Sequence, residues 1–186
     1  MTLPEVEFSV YGNSKSKSVC WLNNHSIVTG SYDEENNSLT IWKIIENKLK
    51  SCQIIKHLGE SNDIKVHNEE IYSASSNGMV YKYSKKDNID GEYKLVETFK
   101  VHENECTTSL DICHSNLSLI AGSEDGYVNI FSSKFGDKKI KADSLPIHCV
   151  RFQNSSGSSR FLTTSTSIKI WDLNQSNSKS IHQLTK

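Results

Sequence analysis

Four short strings of small residues recur along this chain, and each leads through a turn into a strand that ends in an aromatic residue. The four aromatic residues lie 41, 48 and 40 positions apart. A strand-rich repeat of about 40 to 45 residues is typical of one blade of a β-propeller, in which each repeat buries its apolar faces against its neighbours. The strings are Val28-Thr29-Gly30-Ser31 before Trp42, Tyr72-Ser73-Ala74-Ser75 before Tyr83, Ile120-Ala121-Gly122-Ser123 before Phe131, and Leu162-Thr163-Thr164-Ser165 before Trp171.

Alternating apolar and polar residues predict four strands in each repeat. In the third repeat Thr108, Leu110 and Ile112 alternate along one strand, and Asp125-Gly126 predicts the tight turn of a hairpin. The predicted strands are 18–22, 26–30, 38–44 and 52–56, then 64–67, 71–75, 80–83 and 93–99, then 108–112, 117–122, 127–131 and 138–141, and finally 147–152, 160–164, 167–171 and 180–184.

One further strand is predicted at the start of the chain, where Val6, Phe8 and Val10 alternate with polar residues and Tyr11. In a propeller such a strand commonly completes the last blade and closes the ring. We therefore predict a single all-β propeller domain over 1–186. Its parts are a closing-strand segment at 1–12 and blades at 13–57, 58–101, 102–143 and 144–186.

The small residues and the aromatic residues have separate predicted roles in the blades. Gly30, Ala74, Gly122 and Thr164 are expected where neighbouring backbones approach closely. The aromatic residues are expected in the blade core, where replacing either tryptophan by alanine would cost about 3 to 5 kcal/mol. These core positions are Trp42, Tyr83, Phe131 and Trp171.

Composition argues against several functional classes. The net charge of −1 gives no reason to expect direct nucleic-acid binding, and no apolar run approaches the roughly 18 residues of a membrane span. The five cysteines form no Cys-x-x-Cys pair, and the seven histidines show no metal-ligand spacing. We find no nucleophile elbow and no phosphate-binding loop, so we expect no catalytic residues, no cofactor, no metal and no small-molecule substrate.

Two charged clusters are candidates for partner binding. Asp33, Glu34 and Glu35 form the densest acidic cluster and lengthen the turn of the first repeat, either to dock a basic surface or simply as a solvated hairpin loop. A basic cluster in the third repeat is better explained as an edge strand that lysines protect from aggregation. Its members are Lys134, Lys138, Lys139 and Lys141.

Beyond this pattern, the chain resembles the WD40-repeat family. Trp171-Asp172 is the dipeptide that gives the family its name, and His102 and Ser123-Glu124-Asp125-Gly126 occupy its usual His and turn positions. Tyr83 and Phe131 replace tryptophan in two blades, and no glycine precedes His57 or His102. The resemblance therefore implies that the family's His–Ser–Asp–Trp network is incomplete in every blade. It also implies that Asp125 accepts hydrogen bonds from its own turn.

A closer resemblance links four segments, in order, to the first four blades of the WD-repeat nucleoporin forty-three family. They are Gly30-Ser31-Tyr32-Asp33 through Trp42, 71–78, 122–131 and 147–172. Members of that family form seven-bladed propellers in the outer-ring Y-complex of the nuclear pore. The resemblance implies a non-enzymatic scaffold at the nuclear envelope that binds other outer-ring nucleoporins and supports nucleocytoplasmic transport. The alternative is a WD40 adaptor that recognises peptides, such as a ubiquitin-ligase substrate receptor or a trafficking factor.

Four blades of a seven-bladed ring leave that ring open. We therefore expect apolar flanks of the first and fourth repeats to face water, with the 6–10 strand unpaired or paired non-natively. A closed four-bladed ring would contradict this expectation.

Overall fold

The structure is a computed structural model that describes residues 15–32, 36–85, 91–154, 159–175 and 180–184. Within these ranges the chain forms sixteen strands in four antiparallel sheets, each built from four consecutive strands. The described part of the chain holds no helix with the length and apolar character required to cross a membrane. The predicted strand at 6–10 and the cluster Asp33–Glu35 lie outside the described residues.

The first two sheets contain the eight strands predicted for them, in the predicted order. Sheet 1 comprises β1 (Ser16–Asn23), β2 (Ser26–Ser31), β3 (Ser38–Ile45) and β4 (Lys48–Lys56). Sheet 2 comprises β5 (Ser61–His67), β6 (Glu70–Ser75), β7 (Met79–Lys85) and β8 (Tyr93–Lys100). Both sheets lie within the ranges predicted for the first two blades.

The third and fourth sheets repeat the same up-and-down order. Sheet 3 comprises β9 (Thr107–Ile112), β10 (Leu119–Ser123), β11 (Tyr127–Phe131) and β12 (Lys138–Lys141). Sheet 4 comprises β13 (Cys149–Phe152), β14 (Arg160–Thr164), β15 (Ile168–Asp172) and β16 (His182–Leu184).

Several predicted strand starts are wrong: β4 and β5 begin before the predicted Cys52 and Ile64, and β10, β13 and β16 begin after the predicted Leu117, Ile147 and Ser180. The strand predicted from Leu117 begins at Leu119, because Leu117 adopts a left-handed φ of 55° in a turn that its N–H closes by donating to the Cys113 carbonyl. The strand predicted from Ile147 begins at Cys149. Ile147 instead donates its N–H to the Ser123 carbonyl, which ties the approach to sheet 4 onto sheet 3.

Three buried junctions join the sheets in chain order. The innermost strand of each sheet packs against the innermost strand of the next, from β1 to β5, β5 to β9 and β9 to β13. We call the face that a sheet turns toward the next sheet its front flank, and the opposite face its rear flank. At the first junction Val28 and Leu39 on the front flank of sheet 1 share a core with Ile71 and Tyr83 on the rear flank of sheet 2.

Small residues on the front flanks allow this close approach, as predicted for Gly30 and Gly122. A Cβ atom at Gly30 would collide with the Ser61 hydroxyl, and one at Gly122 would lie 2.6 Å from Cγ2 of Ile147. Thr164 occupies the same position in sheet 4, where it is only half-buried because no described sheet lies in front of it.

The arc of sheets is open among the described residues. Sheet 1 has no described sheet behind it, and its rear flank exposes Val19, Trp21 and Ile54, which are 65%, 62% and 69% accessible. The front flank of sheet 4 exposes Ile168 and Leu184. The expectation that the flanks of the first and fourth repeats present apolar side chains is met.

Candidate interaction surface

The four predicted core aromatic residues all lie on the third strand of their sheets and on the rear flank. Tyr83 and Trp171 are buried, whereas Trp42 and Phe131 are partly buried. Trp42 is less buried than Trp171 because no described sheet covers the rear flank of sheet 1. The equal stability cost expected for truncating the two tryptophans is therefore revised, since truncation of Trp42 removes less buried area.

Both tryptophans share a hydrogen bond that the sequence pattern alone does not disclose. Trp42 Nε1 donates to Thr29 Oγ1 at 2.9 Å, and Trp171 Nε1 donates to Thr163 Oγ1 at 3.0 Å. In each case the threonine lies on the second strand, two residues beyond the direct partner of the tryptophan.

The other two sheets carry different residues at the threonine position. Ser73 stands there beside Tyr83, and Ala121 stands there beside Phe131. Phenylalanine has no N–H to satisfy, so an apolar alanine suits it. Both tryptophans and Phe131 are therefore matched to their second-strand neighbours, whereas the Ser73 hydroxyl beside Tyr83 bonds with Ser61 instead.

Part of the polar network that the WD40 resemblance implies is present in sheet 3. The Asp125 carboxylate lies 2.6 Å from Nε2 of His102 and accepts hydrogen bonds from the Ser123 hydroxyl and from the N–H of Tyr127. Burial alone would raise the pKa of Asp125, but these hydrogen bonds and the adjacent His102 hold it below its ordinary value. Phe131 supplies no hydrogen bond here, so the network is formed without its aromatic member, as predicted.

A second polar network links the innermost strands of three sheets. The Asp63 carboxylate accepts hydrogen bonds from Leu110 N–H at 3.1 Å and Ser109 Oγ at 3.2 Å, and it lies 3.3 Å from Nη1 of Arg151. One sheet further on, Ser109 Oγ accepts from the Val150 N–H at the equivalent position, and two residues along Asp111 accepts from the Phe152 N–H. Sequence reasoning missed this network, although both aspartates occupy front-flank positions of innermost strands and could have signalled it.

A histidine pair lies where sheets 2 and 3 meet. Nδ1 of His67 is 2.7 Å from Nδ1 of His114, a distance that requires one ring to donate its proton to the other. Burial and the neighbouring His114 lower the pKa of His67. The pair contains no third ligand, and the described residues hold no cluster of three or more metal-ligating side chains.

Hydrogen bonds hold the residues on either side of the acidic cluster Asp33–Glu35, which itself lies outside the described residues. Tyr32 donates its N–H to the Lys15 carbonyl at 2.8 Å, and the Ser38 N–H donates to Ser31 Oγ at 2.6 Å. The Lys17 ammonium lies 5.2 Å from the Tyr32 ring centroid. The two ends of this loop are thus fixed to sheet 1.

The basic cluster of the third repeat is distributed over local contacts. Lys138 donates to the Leu173 carbonyl, while the ammonium groups of Lys139 and Lys141 lie 4.6 and 4.5 Å from the Tyr127 ring centroid. Lys134 lies over the Phe135 ring instead. Lys138, Lys139 and Lys141 belong to β12, the outer edge of sheet 3, a position at which lysines prevent edge-to-edge pairing.

The cysteines do not form disulfide bonds. Cys113 is buried and Cys52 is exposed, and burial together with the Glu124 carboxylate raises the pKa of Cys106 to about 11. A raised pKa disfavours the thiolate, so Cys106 is a poor nucleophile at neutral pH.

Comparisons with known proteins identify a matching repeat family and a similar solved structure. Residues 93–132 match the family described as WD domain, G-beta repeat. Among curated proteins, no sequence matches this one significantly. The structure is similar to one described as the crystal structure of the WD40 beta propeller domain of Doa1, with 15% identity and a TM-score of 0.71 over 92% of this chain. This chain spans about half of that one, covering 54% of its length.

The matched repeat is offset from the sheets by one strand. It runs from β8, the outer strand of sheet 2, through β9, β10 and β11 of sheet 3. One sequence repeat therefore spans two sheets, and Val101 and His102 follow β8 across the boundary by donating their N–H groups to the Gly78 carbonyl. The four sheets are blades of a WD40-type β-propeller, and within the described residues they form an open arc.

Proposed function

We propose that this protein is a non-enzymatic scaffold that binds other proteins. The observation that carries the proposal is the fold: four blades locked by three buried junctions hold the hairpin loops in fixed positions. A surface that is already ordered loses little conformational entropy on binding, so a preorganised scaffold gains affinity at low cost.

The finer proposal is that the partners are nucleoporins of the outer-ring Y-complex, with the protein located at the nuclear pore. Support comes from the four ordered resemblances described above, which cover the first turn, the second hairpin, the third hairpin and the fourth blade. In this account the protein contributes to pore assembly and so to nucleocytoplasmic transport.

The acidic loop Asp33–Glu35 is the surface that we propose meets a partner. It is longer than the corresponding turns of the other blades, and Tyr32 and Ser38 anchor its ends to sheet 1. Three adjacent carboxylates favour a basic partner surface, which would make association faster at low ionic strength.

Localisation and purification of the tagged full chain test the finer proposal. We expect a steady signal at the nuclear rim and co-purification of outer-ring nucleoporins. Recovery of cullin-type adaptors with no nucleoporin would instead support the adaptor alternative and contradict the pore assignment.

A charge-neutral variant tests the acidic loop. Asp33→Asn with Glu34→Gln and Glu35→Gln should weaken partner recovery, with the largest loss at low salt. The matched control neutralises three other exposed carboxylates, Glu46, Glu92 and Glu97, and should leave recovery unchanged. Equal effects of both triple variants would show that net charge, rather than this loop, governs association.

A further inference from the structure

We propose that His67 and His114 bind one divalent transition-metal ion that prefers tetragonal geometry, Cu²⁺ or Ni²⁺, at the junction of blades 2 and 3. The two imidazole Nδ1 atoms supply neighbouring coordination positions, and water supplies the others. Sequence spacing did not connect these side chains, because they lie 47 positions apart. The proposal does not depend on the proposed scaffold function.

The two rings come from different blades and meet where the blades stack. His67 is the last residue of β5, and His114 lies in the turn between β9 and β10. Their Nδ1 atoms are 2.7 Å apart, and the ring centroids are 4.8 Å apart. Because β5 packs against β9, the stacking of the innermost strands holds the two potential ligands together before any ion arrives.

The separation of the two nitrogen atoms discriminates between coordination geometries. With metal–nitrogen bonds of about 2.0 to 2.1 Å, two ligands at right angles lie about 2.8 to 3.0 Å apart, whereas two at the tetrahedral angle lie about 3.3 to 3.4 Å apart. The 2.7 Å between His67 and His114 is closer to the first arrangement, which Cu²⁺ and Ni²⁺ prefer. Each ring must turn its lone pair toward a common point, and the exposed His114 has room to do so.

Metal binding requires both rings to be neutral and both Nδ1 lone pairs to be free. In the hydrogen-bonded pair one Nδ1 carries the proton and the other accepts it. When an ion binds, that proton moves through water to Nε2 of the same ring, so neither ring gains or loses a proton overall. Burial and the neighbouring His114 lower the pKa of His67, which favours the neutral ligand form at pH 7.

The charged groups around His67 offset each other. Glu70 is the direct cross-strand partner of His67, and its carboxylate favours a cation, whereas the Lys82 ammonium opposes one. Lys82 lies 3.0 Å from the Glu70 carboxylate, which also accepts a hydrogen bond from the Tyr72 hydroxyl at 3.0 Å. Glu70 is thus already engaged, so the two imidazoles are the protein ligands of an otherwise water-filled coordination shell.

Isothermal titration calorimetry of the full chain with NiCl₂ tests the proposal. Ni²⁺ is the probe because Cu²⁺ oxidises thiols, and Cys52→Ser serves as the parent because the Cys52 thiol is exposed. We expect one Ni²⁺ per chain and a higher melting temperature with Ni²⁺, since the ion binds only when blades 2 and 3 are stacked. His67→Gln and His114→Gln should each weaken binding at least about tenfold, because loss of even an outer-shell partner of a metal ligand costs about that much.

His25→Gln is the matched control. His25 is exposed in the turn between the first two strands of blade 1, as His114 is in blade 3, and its variant should bind Ni²⁺ like the parent. Should His67→Gln fail to fold by circular dichroism, the exposed His114→Gln and the protection of His114 from diethyl pyrocarbonate by Ni²⁺ decide instead. An absence of Ni²⁺ binding, full binding in either folded variant of the pair, or an equal loss in His25→Gln would overturn the proposal.

Discussion

The pair formed by Trp171 and Thr163 offers the sharpest test of how the blades are stabilised. Trp171 is 5% accessible, stacks on Phe161 with an interplanar angle of 11°, and donates from Nε1 to Thr163 Oγ1. Replacing Trp171 by alanine should cost about 3 to 5 kcal/mol, the usual range for a buried tryptophan. Trp171→Phe keeps most of the stacking area but removes the donor to a buried hydroxyl.

The cost of Trp171→Phe has two parts. The hydroxyl left without its donor contributes about 1 to 3 kcal/mol, and the lost ring volume contributes about 1 kcal/mol more. Thr163→Ala by itself leaves the indole N–H buried without an acceptor, at a similar cost of about 1 to 3 kcal/mol. The double variant has neither orphaned group, and it reproduces the Phe131 and Ala121 pair of blade 3.

The two substitutions should therefore compensate each other. Because the double variant avoids both orphan costs, we expect it to be about 2 to 6 kcal/mol more stable than the sum of the single variants predicts. Equilibrium urea unfolding followed by far-ultraviolet circular dichroism measures all four proteins without relying on tryptophan fluorescence. Additivity within about 0.5 kcal/mol would refute the idea that Trp171 is matched to its second-strand neighbour Thr163.

Three further outcomes follow from the described contacts. Gly122→Ala should cost about 1 to 3 kcal/mol in urea unfolding, because the added methyl group would lie 2.6 Å from the Ile147 side chain; an unchanged midpoint would contradict the close approach. Asp125→Ala should lower stability by about 1 to 3 kcal/mol through loss of its hydrogen bonds, and a change below about 0.5 kcal/mol would place it among ordinary surface sites. The melting temperature should fall as the pH drops from 7 to 5. Burial lowers the pKa values of His57 and His67, so over this range the unfolded chain binds protons that the folded chain does not. A melting temperature that stays constant over this range would contradict the prediction.

The alternation of apolar and polar residues located the strands because successive side chains of a strand point to opposite faces of the sheet. The bounds predicted for 138–141 and 160–164 agree with β12 and β14. The pattern placed the start of β4 at Cys52, four residues late, because Glu46 and Asn47 form a tight turn with positive φ values of 51° and 56°. Neither residue is glycine, so composition gave little sign of that turn.

Contacts between blades were less accessible to sequence reasoning. Alternation assigns Asp63 and Arg151 to strands and faces, but these residues are 88 positions apart and meet only once three blades are stacked. The pairing of His67 with His114 depends on the same stacking. The candidate interaction loop Asp33–Glu35 came from charge and length alone, so its role remains a proposal.

Chemical accessibility of the three tryptophans tests most directly the account of four blades stacked in an open arc. In hydroxyl-radical footprinting of the described chain, Trp21 should react rapidly, because its side chain is 62% accessible, whereas Trp171, which is 5% accessible, should stay protected. Trp42 is partly buried and should react at an intermediate rate. Protection of Trp21 equal to that of Trp171 would contradict an uncovered rear flank of blade 1, and a Trp171 as reactive as Trp21 would contradict the order of the blades itself.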